Sequence, residues 1–406
     1  MAVKIVRQPK KIALIGAPSS AAAFQPGSEK APAALRAAGL VDRLKEAGFE
    51  VHDYGDCPQR LFAEDEDHRR ARNLPAIVAG LNDLKIHAET AMKSGALVLV
   101  LAGDCAQSIG LLTGARRYYK HLNLIWFDRD ADLNTPATTP SGRIDGMVVA
   151  HIVGRGAPEL VRFWGETPLV REPDVLLYGI ARLDPPEQEV LAKSPLRHVT
   201  AEQISAKGGE KAASDALVHS HADTRDFILH VDLDVISGDE LPAVNIPASG
   251  GLSLPDVRES LKKFAAHKNL LGLDIAQFNP DKDPDGSAAK KIVDLLVEAL
   301  TVRLAAADAA EQAEAQPEAP ASPAQSAHVE QAAAQPTRAS APADAAPSAH
   351  AEPAEHEHPP SIADEPAFSE PPDSQGDHES ESAETTEPDD EVSDDEQSET
   401  GSSRPS

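Results

Sequence analysis

Short apolar runs alternate along the chain with longer segments in which apolar residues recur at helical spacing. Most of the runs are continuously apolar, as expected of strands in a sheet that is covered on both faces. The predicted strands are Ile12–Ile15, Phe49–Tyr54, Ala96–Leu101, Leu122–Phe127, Val175–Tyr178, Phe227–Val231 and Leu271–Ile275. The predicted helices include Pro32–Glu46, Leu74–Met92 and Ala288–Leu304. This alternation is typical of βαβ units and predicts an α/β fold with a mostly parallel sheet.

The composition changes near Ala305. Beyond it the chain is mainly Ala, Pro, Glu, Ser and Asp, with 25 of the 66 acidic side chains and two of the 38 basic ones. Such a segment buries too little apolar surface to offset the entropy of ordering it. We therefore expect a folded domain over residues 1–304 and a disordered acidic tail over residues 305–406. The tail serves either as a solvating segment or as a binding segment for a partner protein or a cation.

The folded part then holds 41 acidic and 36 basic side chains, and no basic patch suggests nucleic-acid binding. Two cysteines, Cys57 and Cys105, exclude a disulfide framework and a cysteine-rich zinc site. The N-terminus lacks the apolar stretch of a signal peptide, and no apolar run is long enough for a membrane span. We expect a cytoplasmic protein that binds neither nucleic acid nor membrane.

Acidic clusters follow three of the predicted strands. They are Ala102-Gly-Asp-Cys105, Asp128-Arg-Asp-Ala-Asp132 and Asp232-Leu-Asp234. In open α/β sheets the ligand site lies outside the carboxyl ends of the strands, so the clusters should converge. Residues two apart on a strand point to one side, which predicts that the aspartates of each motif face one crevice.

Five carboxylates in one crevice repel one another unless a cation binds them. Oxygen ligands of this kind suit Mn²⁺ or Mg²⁺. A single Asp-x-Asp is more often a solvated turn or a helix cap. Two such motifs, each directly after an apolar strand, favour a metal site.

In this order the motifs resemble those of the ureohydrolases, the superfamily of arginase, agmatinase and formiminoglutamase, from about Ile12 to Leu304. Segment 102–110 is similar to the family's Gly-Gly-Asp-His-Ser motif, and segment 128–136 to its Asp-Ala-His-x-Asp-x-Asn-Thr-Pro motif. Segment 141–146 is similar to Ser-Gly-x-x-His-Gly, and 230–234 and 274–280 follow in register. The resemblance implies a three-layer α-β-α domain, a homo-oligomer (trimer or hexamer) and a small-molecule substrate.

The resemblance also implies roles for individual residues. Asp128, Asp132, Asp232 and Asp234 stand at ligand positions of a dinuclear manganese site. Asn134 and Ser141 stand where arginases bind the substrate carboxylate, and Asp184 where a carboxylate meets the substrate amino group. A metal-bridging hydroxide would attack a guanidinium or amidine carbon, and Asp132 is the candidate for passing its proton to the leaving amine.

Four positions depart from the family pattern. Cys105 and Asp130 replace the two metal-binding histidines, Asp145 replaces a histidine that shuttles protons, and Gln277 replaces a glutamate that contacts the guanidinium. A thiolate is a poor ligand for Mn²⁺. Either Cys105 stays neutral and uncoordinated, or a different metal or a single metal binds. Arg129 or Arg143 is a candidate for balancing the added negative charge.

Two hypotheses follow. The first is a metal-dependent hydrolase that cleaves a linear C–N bond in a guanidino, amidino or formimino compound. Arginine is not the expected substrate because Gln277 carries no charge. The alternative is a catalytically impaired pseudoenzyme that acts as a binding or scaffolding protein. His151 either replaces the missing proton shuttle or is a core histidine, and Cys57 is expected to be a small buried residue.

Overall fold

A computed structural model describes residues 5–315 of the chain, and its centre is one eight-stranded sheet. The strand order is β2-β1-β3-β8-β7-β4-β5-β6, and every ladder is parallel. The strands are β1 Gln8–Ala17, β2 Glu50–Asp56, β3 Ala96–Ala102, β4 Asn123–Phe127, β5 Val175–Ile180, β6 Arg197–Thr200, β7 Phe227–Asp232 and β8 Leu270–Ala276. The sequence prediction missed β6, a four-residue edge strand without an apolar run.

Helices cover both faces of the sheet. They are α1 Ala31–Ala37, α2 Leu40–Glu46, α3 Leu74–Lys93, α4 Gln107–Arg116, α5 Val148–Ile152, α6 Pro158–Val161, α7 Pro185–Lys193, α8 Ala201–Lys207, α9 Gly209–His219, α10 Leu254–Ala265 and α11 Ser287–Ala315. Alternate residues of each central strand belong to two separate apolar cores. Leu99 packs with α10 and α11 on one face, and Val98 and Val100 pack with α3 and α4 on the other. The predicted three-layer α-β-α architecture is confirmed.

One helix prediction needs correction. The segment predicted as one helix is divided into α1 and α2 at Gly39, whose φ of 90° places it in the left-handed region and ends the helical run. In α3, by contrast, Ile86 lies outside the buried stripe. Its exposure is 61%, because Ile77, Leu81 and Leu84 already cover the face that meets the sheet.

The closing helix is longer than predicted. It continues past Leu304 to Ala315 because the sequence there is rich in Ala and Glu, which are strong helix formers. Ala307 is buried, and Lys10 lies 2.8 Å from Asp308, so the domain boundary at 304 falls inside a helix. The remainder of the predicted disordered tail, residues 316–406, lies outside the described residues.

The strand ends prepare the functional site. Because the sheet is parallel, the segments after β3, β4, β7 and β8 emerge at the same edge, and these strands are neighbours in the order β3-β8-β7-β4. The three acidic clusters of the sequence follow three of them. No helix in residues 5–315 is long and apolar enough to cross a membrane.

Candidate metal centre

A cavity opens at the carboxyl edge of the sheet, where the acidic clusters meet. Its lining comprises Phe24, Cys105, Asp128, Asp130, Asp132, Asp145, Gly146, Arg182, Asp232, Asp234, Ile246 and Gln277. The predicted convergence of the clusters is therefore observed. All six residues predicted as metal ligands line this one cavity.

A local turn fixes the first aspartate of each motif. Asp128 accepts a hydrogen bond at 2.7 Å from the backbone N–H of Asp130, and Asp232 accepts one at 2.7 Å from that of Asp234. Such Asx-type turns bend the chain away from the strand direction. Strand alternation, which we used to predict the common orientation, does not act within either motif, since β4 ends at Phe127 and β7 ends at Asp232. The carboxylates converge because of the turns.

Two groups of possible ligands can be distinguished. The inner group is Cys105, Asp128, His230 and Asp232, all buried, and each offers a ligand atom within 4.8 Å of the others. The outer group is Asp128, Asp130 and Asp234, with the same spacing. Donors bonded to one ion at about 2.0–2.3 Å lie no farther apart than this, so each group has the size of a cation site.

Inside the inner group, Cys105 is a hydrogen-bond donor. Its thiol donates to Asp232 Oδ2 at 3.0 Å, and its backbone N–H donates to Asp145 Oδ1 at 2.9 Å. Gln277 Nε2 donates to Cys105 Sγ at 3.4 Å and to Asp145 Oδ2. Gln277 Oε1 accepts a bond from Asn245 Nδ2 at 2.6 Å. The amide of Gln277 is thus engaged by the protein at both ends.

Arginine side chains neutralise the outer group. Arg129, nearly fully buried, places Nη2 2.9 Å from Asp130 Oδ2 and 3.3 Å from Asp234 Oδ2. Arg182 places Nε 2.5 Å from Asp130 Oδ1. Arg143 does not take part, because it pairs with Glu64 at 2.8 Å. Of the two arginines considered from the sequence, only Arg129 meets the cluster, and Arg182 was missed.

Burial and mutual repulsion control the protonation of the carboxyl groups. Burial raises the pKa values of Asp128, Asp132 and Asp232 well above the usual range, and nearby carboxylates raise them further. Burial also raises the pKa of Asp145 to about 7 and that of Asp234 to about 6, where Arg129 opposes the rise. Without a cation, several of these groups therefore hold a proton at neutral pH.

Two cavity residues have unusual backbone conformations. Asp132 has a φ of 50° and Gln277 a φ of 71°, both in the left-handed region that residues other than glycine rarely adopt. Such conformations persist only where the surroundings enforce them, and they are concentrated at functional sites. Here they direct two side chains of the candidate site into the cavity.

The predicted substrate-binding residues lie outside the cavity lining, except for Gln277. Asn134 Nδ2 donates to Asp184 Oδ2 at 3.0 Å, so the structure brings these two residues together. Ser141 Oγ accepts from the backbone N–H of Arg143 at 3.1 Å, within its own loop. Arg182 joins the pair to the cavity, since its Nη1 lies 3.7 Å from Asp184 Oδ1.

The structure places the two remaining candidates in the core. His151 Nδ1 donates to the carbonyl of Met147 at 2.7 Å, and burial lowers its pKa to about 4. His151 does not line the cavity. Cys57 is buried, and burial raises its pKa to about 12, so it is a small core residue as expected.

His230 is the member of the inner group that sequence reasoning missed. It lies on β7 two residues before Asp232, and its ring stacks on Trp126 with centroids 3.6 Å apart. The available signal was a histidine within an apolar strand, on the same face as a predicted ligand.

Known proteins provide the comparison for this geometry. A sequence model of the Arginase family matches residues 10–302. An arginase of Brevibacillus brevis is 31% identical over 290 residues, 71% of this chain and 96% of that protein. Arginase-1 of Rattus norvegicus is 32% identical over 279 residues, 67% of this chain and 86% of that protein. The crystal structure of arginase from Bacillus subtilis matches with a TM-score of 0.66 at 29% identity, covering 72% of this chain and 98% of that one.

The family match therefore takes in nearly the whole described sheet, and these relatives are covered over most of their length, whereas the identity is moderate. The predicted superfamily is confirmed. The chain belongs to the arginase family, as a divergent member of the ureohydrolase superfamily with a buried group of possible metal ligands.

Proposed function

We propose that this arginase-family protein is a metal-dependent hydrolase that cleaves a linear C–N bond in an amidino, formimino or guanidino compound. The observation that supports the proposal is the convergence of Asp128, Asp132, Asp232 and Asp234 in one buried cavity. Asp128, Asp232 and Asp234 belong to groups whose ligand atoms have a spacing that suits a cation, whereas Asp132 lies in the same cavity outside both groups. Mn²⁺ is the cation that the family resemblance implies, with one or two per chain.

A bound divalent cation would supply an acidified water as the nucleophile. Asp132 is our candidate for the group that moves protons, because its carboxylate lines the cavity and accepts no hydrogen bond from any described side chain. It is therefore free to take a proton and to pass it to a leaving amine. Asp145 is the second candidate, although its carboxylate is already bonded to Cys105 and Gln277.

The cavity disfavours a guanidinium as the reacting group. Gln277 is neutral, and Asn245 already occupies its carbonyl oxygen. Arg182 adds a positive charge at the rim, where Phe24 and Ile246 supply apolar surface. Guanidino, amidino and formimino groups are all cationic at neutral pH, so Arg182 does not discriminate among them and instead favours a substrate that carries a carboxylate near the rim. We therefore favour a carboxylate-bearing amidino or formimino compound over arginine, with Asn134 and Asp184 oriented for contacts to its distal end.

The test is a substrate panel. Purified protein, loaded in separate arms with Mn²⁺, Co²⁺ or Zn²⁺, is offered guanidino, amidino and formimino compounds, and urea, ammonia and formamide are measured. We expect release of ammonia or formamide from the amidino or formimino compounds. In Asp132→Asn, kcat should fall by about 100-fold or more while metal content is retained. Release no greater than that of an Asp128→Asn variant, in every arm, would contradict the proposal.

A pseudoenzyme is the second candidate, and one observation favours it. Arg129 and Arg182 already balance the charge of Asp130, and Gln277 is bonded at both ends. A centre stabilised in this way needs no second cation to stay folded. If the panel gives no turnover while a cation remains bound, a binding or scaffolding role becomes the better interpretation.

Two further properties remain predictions. The family resemblance leads us to propose a homo-oligomer of the folded domain, a trimer or a hexamer, and a cytoplasmic location. Light scattering on the purified chain tests the first, and a monomer would contradict it.

A further inference from the structure

His230 combines complete burial with a nitrogen that has no partner. Its relative exposure is 0%, and its Nδ1 lies 2.6 Å from Asp274 Oδ2 and 2.9 Å from Ser108 Oγ. Nε2 has no hydrogen-bond partner in the described part of the chain. A buried polar atom without a partner costs about 1–3 kcal/mol, so such atoms call for an explanation.

The neighbours of His230 suggest what that nitrogen binds. His230 offers a ring nitrogen within 4.8 Å of ligand atoms of Cys105, Asp128 and Asp232. Since Asp274 and Ser108 engage Nδ1, the free donor is Nε2. A histidine that ligates a metal through one nitrogen and is oriented by a carboxylate through the other is a recurring arrangement in metalloproteins. Asp274 is itself fully buried, which fits that orienting role.

The donor atoms of the inner group indicate which cation fits. One sulfur, one imidazole nitrogen and two carboxylate oxygens form the mixed set that Zn²⁺ and Co²⁺ accept in tetrahedral sites. Mn²⁺ prefers oxygen ligands and gains little from a thiolate. On binding, the thiol proton of Cys105, now donated to Asp232, would leave to solvent as the sulfur–metal bond forms.

The outer group already has a cation of its own. Arg129 spans Asp130 and Asp234, and Arg182 holds the second oxygen of Asp130. A divalent ion among these oxygens would lie next to a buried guanidinium and would be repelled by it. Two guanidinium charges therefore face three carboxylates, and the one remaining negative charge is shared with the inner group through Asp128, which leaves little attraction for a second metal.

We propose that the centre binds a single Zn²⁺-like cation through Cys105 Sγ, His230 Nε2, Asp128 and Asp232, with Arg129 standing in place of a second metal. This inference rests on the proposed metal-dependent function and refines it. His230 supplies the imidazole that the substitutions at positions 105 and 130 remove from the family pattern. Asp274 is a positioning residue, because it acts through His230.

The experiment is a cobalt titration of the full-length, chelator-treated protein, followed by absorption spectroscopy and metal analysis. We expect one Co²⁺ per chain, visible bands of four-coordinate cobalt, and a near-ultraviolet charge-transfer band from the thiolate. Cys105→Ser should lose that band. His230→Gln should weaken Co²⁺ binding by more than about 100-fold, beyond the loss caused by removing a supporting residue.

The matched control is His151→Gln. His151 is also buried, its Nδ1 is hydrogen bonded and its Nε2 lacks a partner, but it lies outside both ligand groups. Co²⁺ binding should be unchanged in it. Circular dichroism of every variant separates loss of binding from loss of folding, and the Cys105→Ser band provides evidence independent of His230.

Each remaining outcome contradicts the proposal. Two equivalents of Co²⁺ or Mn²⁺ per chain, binding without a thiolate band, or unchanged binding in folded His230→Gln would overturn it. The proposed hydrolase function is tested separately. Hydrolysis with two bound Mn²⁺ ions would support the hydrolase function and refute the single-cation site. A single His230-bound cation without turnover would support the single-cation site and refute the hydrolase function.

Discussion

The inner and outer groups share Asp128 and the same sheet edge, yet they balance their charge by different means. In the outer group, Arg129 contacts two carboxylates directly. In the inner group no arginine contact is found among the described residues, and the hydrogen bonds run from the Cys105 thiol to Asp232 and from Trp126 Nε1 to Asp128. The outer group is stabilised by the permanent positive charge of Arg129. The inner group is stabilised by hydrogen bonds instead.

This difference separates a structural ion pair from a binding site. A guanidinium cannot lose its charge, so Arg129 remains a cation beside Asp130 and Asp234 at any pH at which the protein folds. Protons on the inner group can be exchanged for a metal ion, since His230 Nε2 has no partner among the described residues and each carboxylate oxygen keeps a second lone pair. The same negative charge therefore stabilises the protein at one position and creates affinity for a ligand at the other.

Asp128→Asn should have the largest effect, because Asp128 belongs to both groups. The variant should lose its bound cation after dialysis, and its activity should fall at least about 100-fold. Metal analysis and the substrate panel are the measurements. Asp174→Asn is the control, since Asp174 is equally buried but precedes β5, at the opposite edge of the sheet. Equal metal loss in both variants would mean that the effect is one of folding.

Much of the fold could be predicted because its signals are local. Seven of the eight strands are apolar or alternating runs, and the carboxyl ends of β4 and β7 are marked by the acidic motifs themselves. The edge strand β6 was not predicted, because a strand at the edge of a sheet does not need a continuous run of buried apolar residues. The helix break at Gly39 was not predicted, because apolar residues continue at helical spacing on both sides of it.

The site was predictable only where its chemistry lies in one motif. Cys105, Asp128 and Asp232 follow from strand ends, but the role of His230 depends on Asp274, 44 residues away, and on Ser108, 122 residues away. Arg182 lies 52 residues from the carboxylate that it pairs with. Long-range contacts decide which carboxylates are already neutralised, and they leave no pattern in a single sequence.

Asp274→Asn should have the next largest effect. It keeps the shape of the side chain but removes the charge that orients His230, so Co²⁺ affinity should fall by about 10–100-fold with one equivalent still bound. The comparison is Ser108→Ala, which removes the longer of the two bonds to Nδ1 and should cost less. Unchanged affinity in folded Asp274→Asn would show that His230 needs no such support.

Arg129→Gln should convert the outer group into a second, weaker site. Without the guanidinium, Asp128, Asp130 and Asp234 form an all-oxygen set that suits Mn²⁺. A second equivalent should bind at least about tenfold more tightly than in the wild type, which corresponds to about 1.4 kcal/mol. Electron paramagnetic resonance of a Mn²⁺ titration measures it.

Stability should change as well in Arg129→Gln. The metal-free variant leaves buried carboxylates without a partner and should lose about 3–5 kcal/mol, part of which Mn²⁺ restores. Arg129→Lys keeps a positive charge and should gain no second site. If Arg129→Gln bound no additional Mn²⁺, the charge of Arg129 would not be what keeps a second cation out of the outer group.

His151→Gln should leave metal binding at the centre unchanged. It should change the stability of the fold at acidic pH. Burial lowers the pKa of His151 to about 4 from its ordinary value of 6.5, so the folded state binds fewer protons than the unfolded state between these values. Stability from this group is complete above pH 6.5 and falls as the pH drops towards 4, by about 3 kcal/mol in all. Because Asp145 and Asp234 titrate in an overlapping range, the quantity to measure is the difference between wild type and variant in denaturant unfolding at each pH. That difference should depend on pH only below about 6.5, with the wild type losing more stability on acidification. If it did not vary with pH while Co²⁺ binding weakened, His151 and not His230 would be the buried histidine that serves the metal.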